Sequence, residues 1–285
     1  MYCHRAYSST EMQGSTLHDE TVADVVATGL DGATETVLAV NPNAETFKEL
    51  LASLEDRSDP PTARALLAED ILADLVEDFL VASVLADLRA TDKLEVRTMS
   101  QPPNNALFVS DETITAVVDA GELTAGLSTT ESDAVDAAID HYEHMWAEAE
   151  QFSPRTPPLS RLRETLATEV GEEATADFEA VLGTLDSVRG NGDGVGEVAI
   201  SLLVAARNGV LLYDISKWGE DVGLASKATF SRTKTDLEEA GLIETEKVPI
   251  EVGRPRLRLT LGDERLGAVP PGEMVERANR LLSES

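Results

Sequence analysis

Cations are scarce in this chain of 285 residues: 23 Lys and Arg stand against 53 Asp and Glu, a formal net charge of −30 at pH 7. That excludes a broadly basic, nucleic-acid-coating surface, so any contact with phosphate must come from a local arrangement of few side chains. Cysteine is scarcer still. A lone Cys3 leaves no internal disulfide framework, and it lies far in sequence from the histidine pair His141 and His144. No window approaches the roughly 18 uninterrupted apolar residues of a membrane helix, and no basic-then-apolar signal peptide opens the chain. No phosphate-binding loop, G-x-G-x-x-G fingerprint or G-x-S-x-G elbow occurs. What is present is a hydrophobic fraction of 42%, enough for real cores, over a length that suggests about two domains.

The acidity is uneven. Residues 1–209 hold 12 Lys and Arg against 39 Asp and Glu, whereas residues 210–266 hold 9 against 11 and are nearly neutral. Such an excess of carboxylate repels itself at low ionic strength, and it is the surface expected of a halophile's cytoplasmic protein, screened by molar salt. Counterion release contributes little to DNA binding in concentrated salt, so base contacts, shape and dimer geometry must carry more of the affinity.

The near-neutral stretch is organised around residues 223–241, GLASKATFSRTKTDLEEAG. Ser226 stands where an N-cap should and Gly241 where a left-handed residue past the helix end should. Phe230, Thr233, Leu237 and Ala240 share one stripe, which turns Lys227, Thr229, Ser231, Arg232 and Thr235 outward. Upstream, residues 197–208 carry Val198, Leu202 and Ala205 at helical spacing. Residues 213–222 carry Ile215, Trp218 and Val222 behind a candidate Asp214 cap. The connection 223–226 is short and contains glycine, as the turn of a helix-turn-helix requires. Downstream, residues 242–248 and 256–261 read as strands around a turn-rich loop, with Leu257, Leu259 and Leu261 alternating inward. Three helices followed by a hairpin predict a winged helix. Trp218, Tyr213 and Phe230 are expected as core anchors.

The chain then divides as follows: a disordered N-terminus over 1–16, an α/β domain over 17–152, a helical connector and glycine hinge over 153–192, the winged helix over 193–266, and a tail helix over 267–285. Met12 is a second candidate start. In the α/β domain the expected elements are a capped helix 19–28, strand 36–40, helix 44–54, a short apolar segment after the break at 58–61, and one long helix 70–88. Strands 94–98, 106–110 and 113–119 and a helix 132–152 follow. The turn Asn41-Pro42-Asn43 could set a helix N-terminus against an anion, though most such turns are plain connections. Asp70, Asp74 and Asp78 form an acidic row better read as a solvated face than as a metal site. His141 and His144, three apart, lack a third ligand, so no metal or other cofactor is expected. Arg64, Arg89, Lys93 and Arg97 gather around the second half of the long helix; they could meet a phosphorylated effector or pair with surrounding carboxylates, and pairing is the commoner outcome. The hinge GNGDGVG, residues 190–196, would let effector occupancy move the DNA-binding heads.

The run LLYDISKWGEDVGLASKATFSRTKTDLEEAGLIETEKVPIEVGRPRLRLTLGD, residues 211–263, resembles the DNA-binding end of the haloarchaeal TbsP transcriptional regulators. The resemblance extends more loosely over TVLAVNPN and ALFVSDETITAVVDAG. It implies an N-terminal domain similar to the TrmB effector domain, itself related to phospholipase D folds, and a sugar or sugar-phosphate effector in central carbon metabolism. The phospholipase D signature His-x-Lys-x4-Asp is absent, because no histidine has a lysine two places on. The resemblance therefore carries the fold without hydrolytic activity, and the chain is not expected to be an enzyme.

Arg232 is the leading candidate for base reading, flanked by Thr229 and Ser231, with Ser226, Lys227 and Thr235 near phosphate or base edges. Lys234 borders the buried stripe and is expected to snorkel. In the wing, Gly253-Arg254-Pro255-Arg256 resembles arms that read a narrow minor groove. Arg254 is the better candidate, since Arg256 and Arg258 face Glu244 and Glu246 across the hairpin. Two functions follow: a sequence-specific double-stranded-DNA-binding regulator, a homodimer because half-sites need two heads, or an interaction adaptor that uses the winged helix to bind protein. The adaptor would place apolar residues at 229, 231, 232 and 254, and none is there.

Overall fold

Four of the five side chains of TVLAV are buried, as expected of a strand covered on both faces. The computed structural model describes residues 21–119, 121, 124–188, 195–249 and 255–284. In it this segment, β1 (Thr36–Val40), pairs in parallel with β2 (Thr62–Ala68) and antiparallel with β4 (Ala106–Val109). The sheet has seven strands in the order β6-β5-β4-β1-β2-β3-β7. Its parallel part is completed by β3 (Leu94–Met99). An antiparallel meander runs through β5 (Ile114–Asp119) and β6 (Thr124–Thr129), and β7 (Glu150–Gln151) pairs antiparallel with β3.

Helix α1 (Val22–Asp31) starts in a capping box, with Thr21 accepting from the backbone of Asp24 and the Asp24 carboxylate accepting from that of Thr21. It covers one face of the meander so closely that a Cβ on Gly29 would stand 2.5 Å from the Phe108 ring. Helix α2 (Ala44–Asp56) is capped by Asn43, whose side chain accepts from Thr46 N. On the opposite face α5 (Ser132–Glu148) lays Ala138, Ile139, Tyr142, Met145 and Trp146 over Leu38, Val40, Leu66, Met99 and Val109.

The expected long helix 70–88 is two helices, α3 (Glu69–Glu77) and α4 (Phe79–Ala90). Asp78 divides them: its Oδ1 accepts from Leu80 N at 2.9 Å and Val81 N at 3.3 Å, so a residue expected on a solvated acidic row starts a new helix. The apolar segment after residue 61 is β2, while β6 and β7 add strands that the periodicity did not show.

By contacts the chain forms two units, residues 21–77 with 88–153, and residues 78–87 with 154–284. In the second, α6 (Leu159–Glu169) and α7 (Glu172–Val188) are not a free-standing connector. They pack on each other, on α8 (Glu197–Arg207) and α9 (Leu212–Val222), and α7 also packs on α12 (Pro271–Glu284). Thr184 Oγ1 donates to Gly272 O at 2.6 Å, Asn208 Nδ2 to Asp177 Oδ2 at 2.8 Å, and Trp218 Nε1 to Thr165 Oγ1 at 2.9 Å. Helix α8 is buried continuously from Val198 to Ala206, the pattern of a helix enclosed all round. Helix α10 (Lys227–Glu239), the hairpin β8 (Ile243–Val248) and β9 (Arg256–Leu261), and the short α11 (Glu264–Gly267) complete the unit. An isolated bridge from Leu211 to Arg258, and Leu259 N donating to Val210 O at 2.9 Å, stitch the start of α9 to the hairpin. The expected disorder over 1–16 lies outside the described residues, as does all of the hinge but 195 and 196; Gly196 is the N-cap of α8.

Candidate nucleic-acid interface

The turn between α9 and α10 is built as its sequence predicts. Gly223 ends α9 with φ of 88°, a left-handed conformation that costs glycine nothing. Leu224 N and Ala225 N both donate back to Gly219 O, at 2.8 and 3.3 Å. Ser226 then caps α10 by accepting from Thr229 N at 3.1 Å. The helices cross at Gly219, where any side chain would meet the buried ring of Phe230. Phe230 and Leu237 hold α10 to the core, and Gly241, at φ of 70°, follows its end.

The opposite side of α10 presents Lys227, Ala228, Ser231, Arg232, Thr235, Asp236 and Glu239, all exposed. Arg232 stands mid-helix without a hydrogen-bond or ion-pair partner among the described residues, its guanidinium free to take a planar acceptor pair. Ser231 is exposed, Thr229 half-buried, and Thr235 donates to Ser231 O at 3.0 Å. Ser226 is exposed, with its hydroxyl shared between the cap and Thr229 Oγ1. Lys227 is exposed and bonded to Glu220 Oε2 at 2.5 Å. Lys234 is 13% exposed and paired with Glu238, which also accepts from Thr245 Oγ1 at 2.8 Å.

The wing departs from expectation in two places. Asp214 is not a cap: the N-cap of α9 is Leu211, three residues earlier, with no side-chain cap bond, and the Asp214 carboxylate sits 3.6 Å from Arg256. Tyr213 is not a core anchor: it is 49% exposed, and the Arg256 guanidinium lies 4.6 Å from its ring centroid. Across the hairpin Arg258 does face Glu246, whereas Arg256 faces Val248 and Glu244 faces Thr260. Arg254 lies outside the described residues.

In the first unit, Arg64 of β2 and Arg97 of β3 converge on Trp146, their guanidinium carbons 5.7 and 4.6 Å from its ring. Arg97 donates to Trp146 O at 2.7 Å near the C-terminal end of α5, and Arg64 bonds the Glu143 carboxylate at 3.1 Å. Arg89 donates to Ser153 Oγ at 2.6 Å, and Lys93 stands in the turn before β3. The four candidates thus have protein partners or a turn position, and the Arg64–Trp146–Arg97 stack is what sequence spacing could not reveal. A polar cleft of about 300 Å³ lies elsewhere in this unit, lined by Thr21, Asn43, Glu45, Thr46, Asp119 and Thr124, at the starts of α1 and α2. The Asn41-Pro42-Asn43 turn leads into it, with two carboxylates and no cation to meet an anion. His141 and His144 are exposed, His144 lying 3.5 Å from Glu148.

Comparison with known proteins bears on both units. A family model described as "Transcriptional regulator TbsP-like, N-terminal" matches residues 14–157, and one described as "Transcriptional regulator TbsP-like, C-terminal HTH domain" matches residues 158–279. No curated protein matches the chain. Among solved structures the chain is similar to TrmBL2, described as an archaeal chromatin protein with a novel mode of DNA binding. The identity is 13% and the TM-score 0.34, covering 46% of this chain and 51% of that one, so the chain spans about half the length of that relative. It is also similar to Nuc of Salmonella typhimurium, a phospholipase D family member, at 12% identity and a TM-score of 0.32, covering 45% of this chain and 88% of that one. Among the described residues no helix is long and apolar enough to cross a membrane.

Proposed function

The chain belongs to the TbsP-like family of DNA-binding transcriptional regulators, and from that premise we propose that it reads a specific double-stranded site with the outward face of α10. One observation supports this most: Arg232 is exposed and unpartnered among described residues, mid-way along a capped helix whose free face carries no large apolar side chain. Arg232 takes a guanine edge, Ser231, Thr229 and Thr235 adjust to neighbouring bases, and Ser226 and Lys227 meet the phosphate backbone. Arg254 and Arg256 extend the contact to the flanking minor groove. Two copies bind as a cytoplasmic homodimer on paired half-sites.

The α/β unit serves as a sensor for a sugar or sugar phosphate, so that the regulated genes belong to carbon metabolism. Arg64, Arg89, Lys93 and Arg97 are the cations open to a phosphate, the three arginines exchanging their protein contacts for the ligand. The cleft beside Asn43 suits sugar hydroxyls better, because Glu45 and Asp119 accept hydrogen bonds and repel anions.

Selection from a random-sequence duplex pool in concentrated KCl tests the reading. The full chain should enrich one motif, and Arg232→Glu should lose that duplex in mobility shifts while keeping its fold and assembly state. If no motif is enriched, or the variant binds as tightly, α10 is not the reading helix.

A further inference from the structure

Two of the cations assigned above to the DNA contact, Lys227 and Arg256, are held by carboxylates of their own unit. Lys227 Nζ lies 2.5 Å from Glu220 Oε2 and also receives that carboxylate at its backbone N–H, at 3.4 Å. Arg256 lies between the Tyr213 ring and the Asp214 carboxylate. Both carboxylates come from α9, so they sit beside cations that the proposed function sends to DNA, Lys227 to the phosphate backbone and Arg256 to the flanking minor groove. Arg232, sent to a base, has no such partner among the described residues.

We propose that Glu220 and Asp214 are tethered counterions, which hold Lys227 and Arg256 in the free protein and give them up to DNA only when the fit around Arg232 is right. This rests on the placement of α10 on DNA argued above. A lysine that arrives alone neutralises a phosphate and releases condensed ions, so its contribution falls as salt rises. A lysine that arrives with its own carboxylate brings no net charge and releases none. The exchange of partner is then nearly independent of bulk salt, which suits a protein of net charge −30 that needs screening to stay compact. It also discriminates. On a wrong sequence nothing offsets the loss of the two internal pairs, and the stranded carboxylates repel the backbone. The Lys227 hydrogen bond holds the Glu220 carboxyl below its ordinary range, and the Glu220 hydrogen bond raises Lys227, so the pair remains charged through neutral pH.

A double-mutant cycle on the full chain separates this from the trivial effect of removing negative charge near DNA. Binding to a fluorescein-labelled random-sequence duplex pool is followed by anisotropy across a KCl series in which every variant stays folded. Glu220→Gln should tighten binding by roughly fivefold at the low end of the series, the ordinary worth of an exposed ion pair, and steepen the log–log salt slope by roughly 0.9. In a Lys227→Gln background the same substitution should do much less. Asp214→Asn, alone and with Arg256→Gln, repeats the cycle at the second pair. Equal effects with and without the cation would reduce both carboxylates to background charge and overturn the inference. The Arg232→Glu variant, measured on the selected duplex, keeps the two failures apart. If it binds normally, the placement of α10 is wrong; if it does not bind and neither cycle shows coupling, only the tethered counterions fall.

Discussion

Gly219 of α9 touches the ring of Phe230 in α10, and a Cβ built on it would stand 2.2 Å from Cε2 and 2.3 Å from Cζ. The angle between the two helices therefore depends on the absence of one methyl group. Phe230 is fully buried and cannot swing aside. Gly219→Ala should destabilise the second unit by about 1–3 kcal/mol, the usual cost of overpacking, despite alanine's better helix propensity. Denaturant melts check this, and Phe230→Leu in the same chain should restore part of the loss.

The bond from Trp218 Nε1 to Thr165 Oγ1 at 2.9 Å ties the first helix of the helix-turn-helix pair to α6, a segment whose sequence reads as a connector. Thr165→Val keeps the shape but leaves the indole N–H buried without that partner, which should cost about 1–3 kcal/mol. A fragment beginning at 193 should be less stable than one beginning at 154, with redder Trp218 emission, since Trp218 is fully buried in the whole chain and α6 packs on its helix. Equal stability of the two fragments would restore the connector.

Asp78 starts α4 by accepting from two backbone N–H groups, and Asp78→Ala should cost about 0.5–2 kcal/mol as other lost N-caps do. Asp74→Ala, one turn earlier on the same acidic row, lies on the exposed side of α3 and should change stability little. The contrast between the two distinguishes a cap from a solvated face, and chemical denaturation of the two variants side by side reads it.

Much of the second unit was legible because its signals are local. A serine three residues before an N–H to be capped, and a glycine where φ must be positive, act through their immediate neighbours, and α10 begins and ends where Ser226 and Gly241 put it. Tyr213 lies outside the expected core because its spacing to Ile215 and Trp218 says nothing about Arg256, 43 positions later, whose guanidinium lies 4.6 Å from its ring. The segment TARALLA is too short and too nearly all apolar for periodicity to show whether it is a strand or part of a helix; pairing with both β1 and β3 makes it β2. The helices expected as a connector looked amphipathic either way, since a sequence does not say which partner receives an apolar stripe. The stack brings together Arg64, Arg97 and Trp146, which lies 49 positions beyond Arg97, a relation that exists only once the sheet has formed.

That stack also makes the proposed sensor role testable, because one of the two tryptophans of the chain lies inside it. Replacing Trp218 by Phe leaves Trp146 as the sole reporter, buried to 6% exposure beneath two guanidinium groups. An anionic effector that recruits Arg64 must break its bond to Glu143, whose side chain is 47% exposed, and draw the cation from the ring. The emission of Trp146 should therefore shift on titration with sugar phosphates, and Arg64→Ala should remove the response without unfolding the unit. Arg97 behaves differently because its bond to Trp146 O secures the end of α5. Arg97→Ala should cost about 1–3 kcal/mol of stability whether or not any ligand is added. A hydroxyl-only sugar that leaves Trp146 unchanged but raises the melting temperature would place the effector in the cleft beside Asn43, and Asn43→Ala should then abolish that rise. Silence from Trp146 and from the melting temperature across both classes of ligand would leave the four cations with a purely structural role, Arg64 pairing with Glu143 and Arg97 closing a helix.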